Sequence, residues 1–394
     1  VYDATGNLLI DDVVLTTAGK NLEIRVAEVG DNRFVASWFD SNNSVGSEIY
    51  GRIIDGSGES ISADLQFNST ALYNQQAPEV VGLKDGNFAV VWQSDTDGTE
   101  TYDIIARLFD REGDAITDEI IINEITLGEQ TKPSIATSSS DEIVIAWQTN
   151  ETGVNEVLYQ TLDFDGRLKS GNKKLSIDDN GDFVGGEDVT LTTLEDGHIV
   201  AAWDDQTGNI YAKNINENTE TEINSALLTV STAAEGASDR TSIAALPLGG
   251  FVSVWHEGGG KDGDGQGVFG RIIDENYNRS GEEFLINTLT TSHQSKAFVA
   301  SLSDGTFMVV WSGGDGSSQG QVFSSSAVKI GEQFEIGPWS NQEAYIIGTA
   351  DNKFMVVRGQ NNQDSGILSV YDATGNLLID DVVLTTAGKN LEIR

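Results

Sequence analysis

One apolar run recurs along the chain. It reads FVASW up to Trp38, FAVVW to Trp92, IVIAW to Trp147, HIVAAW to Trp203, FVSVW to Trp255 and FMVVW to Trp311, and a seventh copy, FMVVR, ends at Arg358. Successive copies end 47 to 56 residues apart. A strand with one wet face alternates apolar and polar side chains. These runs are almost continuously apolar, so both of their faces are covered. No long stretch shows a helical 3.6-residue period, Gly is abundant, Pro is scarce and β-branched residues are common, which reads as an all-β chain of short strands and tight turns.

The second repeat shows the unit. PEVVGL (Pro78 to Leu83) is a strand, and Lys84-Asp85-Gly86-Asn87 is an Asp-Gly hairpin turn that supplies positive φ at little cost. NFAVVWQS, DIIARLFD and DEIIIN follow as three further strands, separated by DTDGTETY and REGD. Short hairpins make the sheet antiparallel, yet its second strand is covered on both faces. A propeller blade, sandwiched between two neighbours, meets both conditions. A two-sheet sandwich leaves one face wet, and solenoid repeats are usually shorter. The expected fold is a seven-bladed antiparallel β-propeller with four strands per blade. Its innermost strands should lie near Ala27, Val80, Ile135, Val189, Ile243, Val299 and Ile346, with the tryptophans packed between blades.

The ends of the chain repeat each other. Val1 to Arg25 recurs letter for letter as Val370 to Arg394, an offset of 369 residues. Seven short repeats fill that offset without remainder. Residues 1–394 therefore read as one propeller domain, a tandem unit of about 369 residues with a 25-residue overlap. A single ring has room for one copy of each strand, so either Leu8 to Leu15 or Leu377 to Leu384 supplies the fourth strand of the seventh blade.

Charge narrows the partners. With 23 Lys and Arg against 62 Asp and Glu, the net charge is −39, which repels nucleic acid and anionic lipid alike. No cysteine is present, so no disulfide framework exists. No window approaches the ~20 apolar residues of a membrane helix. His198, His256 and His293 are scattered without zinc-ligand spacing.

With these residues laid out, the repeat resembles one found in very large secreted and surface proteins of bacteria, the RTX-related, haemolysin-type calcium-binding, adhesin-like family. DGNFAVVWQSDTDG (Asp85 to Gly98), DIIARLFDREG (Asp103 to Gly113), EIYGRIIDGSG (Glu48 to Gly58), GVFGRIIDENY (Gly267 to Tyr277) and GEEFLINTLT (Gly281 to Thr290) carry the likeness. The resemblance implies an extracellular or cell-surface location, neighbouring copies of the same repeat as partners, and calcium. It carries no catalytic residue over.

Calcium favours alternating Asp and backbone oxygens with Gly permitting the bend. Asp262 and Asp264 in KDGDGQG are the leading candidates, with Asp95 and Asp97 in DTDG next; a solvated turn accounts for the same residues. The turns after the third strands look Asp-initiated, at Asp55, Asp110 and Asp372, and Arg52, Arg107 and Arg271 recur at one position, as a structural residue would. Trp339, outside the repeat pattern, is a candidate ligand contact. No Ser-His-Asp order or phosphate-binding glycine loop appears. The expected function is a non-catalytic spacer and adhesion module, binding glycan or a surface protein at a mouth of the ring. The alternative is a glycan-degrading enzyme, a glycoside hydrolase or lyase with central carboxylates.

Overall fold

The computed structural model describes residues 21–43, 46–55, 60–69, 73–99, 101–169, 171–205, 207–215, 227–231, 238–247, 249–338, 344–359 and 366–383. These form seven four-stranded antiparallel sheets, each with its strands in chain order. The innermost strands are Asn21–Glu28, Gln75–Gly82, Gln130–Thr137, Glu187–Thr193, Ser238–Ala245, Ser295–Ser301 and Tyr345–Gly348. Each touches the next, and the seventh touches the first, so the sheets close into a ring. The protein is a seven-bladed β-propeller. Among the described residues the only helical element is a 3₁₀ turn at Lys84–Gly86, and no helix is long and apolar enough to cross a membrane. Leu377–Val383 fills the fourth place in the seventh blade, so the C-terminal copy of the duplicated segment supplies that strand; residues 1–20 lie outside the described residues.

Seven apolar clusters stand between the blades, and this is where the continuously apolar second strands are covered. One cluster joins Leu83, Val91 and Ile104 of blade two to Ile135, Ile145, Trp147 and Leu158 of blade three. Each of the six tryptophans sits in the interface with the preceding blade, no more than 2% exposed. Trp92 and Trp147 also donate their Nε1–H to Gln75 and Gln130, at 3.0 and 2.9 Å. Arg358 is buried at the seventh position, beside Gly337 of blade six, where a Cβ would run into the guanidinium.

The fourth strand makes only two ladder pairs in blades one to four, and a side chain beyond them adds a further bond to the third strand, as one also does in blade five. Asn68, Asn123, Ser176, Ser231 and Asn287 each accept the backbone N–H of Ile49, Ile104, Val157, Ile210 and Val268, at 2.7 to 3.0 Å. Asn123 also donates to Asp103 Oδ1 at 2.7 Å. Asn123→Ala leaves a buried N–H and a buried carboxylate short of partners, so a loss of about 1–3 kcal/mol is expected in urea unfolding.

The Asp-initiated turns at Asp110 and Asp372 form as the sequence implies; the turn after Asp55, residues 56–59, lies outside the described residues. Asp110 Oδ1 accepts from Glu112 N and Asp114 N, and Asp372 Oδ1 from Thr374 N and Asn376 N. The residue three places on must enter the left-handed region, which is why Gly113 (φ 92°) and Gly375 (φ 85°) stand there. The recurrent arginines are structural: Arg52 pairs with Asp64, Arg271 with Glu283, and Arg107 caps the carbonyls of Phe67 and Thr117.

Candidate functional site in the central cavity

All seven inner strands line a central cavity of about 650 Å³. Its wall is built by a device common to six blades. Each inner strand breaks register near its start, between Leu22 and Arg25, Gln76 and Glu79, Thr131 and Ser134, Glu187 and Thr190, Asp239 and Ser242, and Ser295 and Phe298. The bulged residue adopts positive φ: Glu23 53°, Ala77 49°, Lys132 52°, Asp188 47°, Arg240 49° and Lys296 57°. None is glycine and five are charged. Such backbone is costly for an L-residue and clusters where a side chain must be re-aimed. Neighbouring blades hold the bulges in place: the amides of Lys132 and Asp188 donate to Gln93 and Gln148, at 3.1 and 3.5 Å. That accounts for the Gln that follows Trp in blades two and three.

Two residues beyond each bulge comes a second tier, Arg25, Glu79, Ser134, Thr190, Ser242 and Phe298, joined by Tyr345 of blade seven at the same register. In blades three and five this tier serves the scaffold, since Ser134 and Ser242 accept the amides of Leu191 and Val299 on the next blade. In blades seven, one and two it carries the ionisable side chains Tyr345, Arg25 and Glu79. Arg25 Nε donates to Glu79 Oε1 at 2.6 Å, with the two side chains 16% and 23% exposed. The Arg25 guanidinium lies 5.0 Å from the centre of the Tyr345 ring, and Phe298 meets that ring edge-on at 5.6 Å.

This packing sets the protonation of the cluster. Burial pushes the Glu79 carboxyl above its ordinary value, although Arg25 pulls it back. Burial, then the Glu79 charge, pushes the Tyr345 phenol up to about 12. Burial works against the Arg25 charge, but Glu79 and Glu23 outweigh it and hold the guanidinium firmly protonated. Arg25 occupies Oε1 of Glu79. Across the ring, on blade four, Asp188 pairs with Lys132 at 2.6 Å.

None of the residues singled out for calcium lines this cavity. Asp95 Oδ1 accepts from Gly98 N at 2.7 Å, and Asp97 Oδ1 from the amide and hydroxyl of Thr99 at 3.0 and 2.6 Å. Asp264 Oδ2 accepts from Ser292 N at 3.1 Å. Asp262 accepts from Asn287 Nδ2 at 3.0 Å, as Asp103 does from Asn123 in blade two. It reaches over Gly267, where a Cβ would meet it at 2.7 Å. Among the described residues, no group of three or more His, Cys, Asp or Glu side chains stands together in a way that could hold a metal. Trp339 lies outside the described residues.

Arg25, Glu79 and Tyr345 escaped the sequence reading. The signal was there, because aligning the seven repeats on Trp and reading the inner-strand column places these three beside Ser134, Thr190, Ser242 and Phe298.

No protein-family model matches the sequence, and no curated protein matches it. Solved structures do. A polysaccharide lyase superimposes with a TM-score of 0.53 at 9% identity, over 90% of this chain and 90% of that one. An α-L-arabinofuranosidase of Fusarium graminearum gives 0.50 at 11% identity, over 95% and 98%. A Dyadobacter fermentans protein of unknown function gives 0.50 at 10%, over 77% and 92%. At such identities the likeness is one of fold. It corrects the expectation of a non-catalytic, non-enzymatic spacer and adhesion module. Both the lyase and the arabinofuranosidase, which match across nine-tenths or more of this chain, are enzymes.

Proposed function

We propose that the protein is a glycan-degrading enzyme that works in its central cavity, outside the cell. The observation that carries this is the Arg25–Glu79–Tyr345 cluster, an ionisable group set in a ring where blades three and five place scaffold serines at the same position. The similarity in fold to a polysaccharide lyase and an arabinofuranosidase supports the choice of substrate.

The protonation pattern favours hydrolysis. A carboxyl pushed upward by burial suits a proton donor. A phenol pushed up to about 12 stays protonated near neutral pH, so little phenolate is present, which counts against elimination driven by Tyr345. In the hydrolytic step, Glu79 gives its proton to the glycosidic oxygen as the bond to the anomeric carbon breaks. A water oxygen bonds to that carbon, and Asp188 takes the water's proton. Arg25 positions Glu79, and Phe298 with Tyr345 offers an aromatic wall to a sugar face.

The test is incubation with a panel of plant and bacterial polysaccharides, reading new reducing ends and the ultraviolet absorbance of unsaturated products. Reducing ends without absorbance support hydrolysis; absorbance supports a lyase; neither, across the panel, overturns the enzyme reading.

A further inference from the structure

The ring has one seam unlike the others. From blade one to blade seven, the chain itself crosses each seam, running from the fourth strand of one blade into the innermost strand of the next. Between blades seven and one no chain crosses among the described residues. The fourth place in blade seven is filled by Leu377–Val383, which continues that blade's own third strand, Gly366–Asp372. Contacts alone hold this seam. Val26, Phe34 and Trp38 of blade one pack with Val357 of blade seven, the Arg25 guanidinium lies against the Tyr345 ring, and Ala350 N donates to Glu28 Oε2 at 3.3 Å.

The chain carries a second strand for the same place. Leu8 to Val14 repeats Leu377 to Val383 without a change, so it offers the third strand the same ladder and the same side chains. Only the tethers differ. Four residues, 373–376, join Leu377–Val383 to the third strand, and six, 15–20, join Leu8–Val14 to the innermost strand of blade one, Asn21–Glu28. The entropy of closing a loop changes slowly with its length, so neither tether gives its copy a large advantage. The longer tether also has the reach. Val14, the counterpart of Val383, stands eleven residues before Arg25. The matching positions are ten residues apart across the seam of blades six and seven, Glu335 to Tyr345, and thirteen across that of blades one and two, Gln66 to Glu79.

We propose that Leu8–Val14 of the same chain exchanges with Leu377–Val383 on the edge of Gly366–Asp372, and that in this second closure residues 15–20 cross from blade seven to blade one and latch the ring. The exchange breaks one ladder and forms an identical one, and the edge of the third strand is never left bare. The latch ties together the two blades that hold Arg25 and Tyr345. It stands whatever reaction the cavity performs.

The chain has no cysteine, so an introduced disulfide reports which copy is seated. Leu368 pairs with Val382, whose counterpart in the other copy is Val13. In the full chain, Leu368→Cys with Val13→Cys, oxidised with copper phenanthroline, should give a cross-linked monomer, read on a non-reducing gel and by peptide mass after trypsin digestion. Leu368→Cys with Val382→Cys is the control for the closure seen here. Ile367→Cys with Val14→Cys repeats the measurement one position along the ladder, should the first pair disturb folding. Failure of both pairs to cross-link where the control succeeds overturns the proposal. So does a disulfide found only in dimers, which gives the place to a second copy of the chain. Urea unfolding supplies an independent readout. Ile379 lies opposite Val370 in the ladder, and its counterpart is Ile10. Ile379→Asp alone should leave the midpoint nearly unchanged, because the other copy takes the place, whereas Ile10→Asp with Ile379→Asp should lower it. Equal midpoints for the single and double variants overturn the proposal.

Discussion

Glu79→Gln is expected to lower glycan cleavage by about 10²–10⁴-fold, the range contributed by a positioned proton donor. Gln keeps the shape of Glu and an oxygen for Arg25 Nε, now 2.6 Å from Glu79 Oε1, but it has no proton to give. The loss should fall on kcat, with KM little changed, because a proton delivered in the transition state adds nothing to ground-state binding. The pH profile supplies the second readout. Wild-type activity should decline as pH rises through the raised value of Glu79, and that limb should vanish in the variant. Stability follows the same group. Between the ordinary Glu range and the raised folded value, the folded state keeps a proton that the unfolded state has released. Stability therefore falls as pH rises through that window, and the Gln variant should flatten this slope. Unchanged turnover in a well-folded Glu79→Gln protein would remove Glu79 from the mechanism.

Trp147→Ala should produce the largest loss of stability, about 3–5 kcal/mol, read as a lower denaturant midpoint. The ring is fully buried between blades two and three, and its removal opens a cavity among Leu83, Val91, Ile104 and Leu158. It also strips Gln130 Oε1 of the indole N–H at 2.9 Å. The hydrogen-bond contribution can be separated by Trp→Phe at two blades. Trp311 is equally buried, but its Nε1 has no hydrogen-bond partner. Trp147→Phe should thus cost about 1 kcal/mol more than Trp311→Phe, the difference being one buried hydrogen bond. Equal costs would show that shape alone decides the tryptophan position.

The scaffold was legible for a local reason. Strand, hairpin and Asp-initiated turn are each written within about ten consecutive residues, and sevenfold recurrence multiplies a weak signal. FAVVW and FMVVW read as doubly covered strands because their patterning lacks a polar face, and the structure buries them on both sides. The acidic loops are ambiguous in sequence for a related reason. An Asp followed by Gly writes the same letters whether its oxygens take a cation or a turn amide, and at Asp97 they take the amide and hydroxyl of Thr99. Asp262 shows a subtler substitution, since it performs from a loop what Asp103 performs from a strand, and only the space above Gly267 reveals it.

The sequence by itself determined the architecture: all-β, seven repeats, four strands to a repeat, tryptophans between blades. Those features depend on near neighbours in the chain and on periodicity, which a linear text records. The ionisable cluster was decided only by the tertiary structure. Arg25, Glu79 and Tyr345 come from blades one, two and seven, and they meet because the ring closes the last blade onto the first. The bulges that turn Lys132, Asp188, Arg240 and Lys296 into the wall were equally invisible, because a one-residue change in register leaves no mark in the order of the letters. Closure and register are properties of how strands pair across space, and charge in the cavity follows from them.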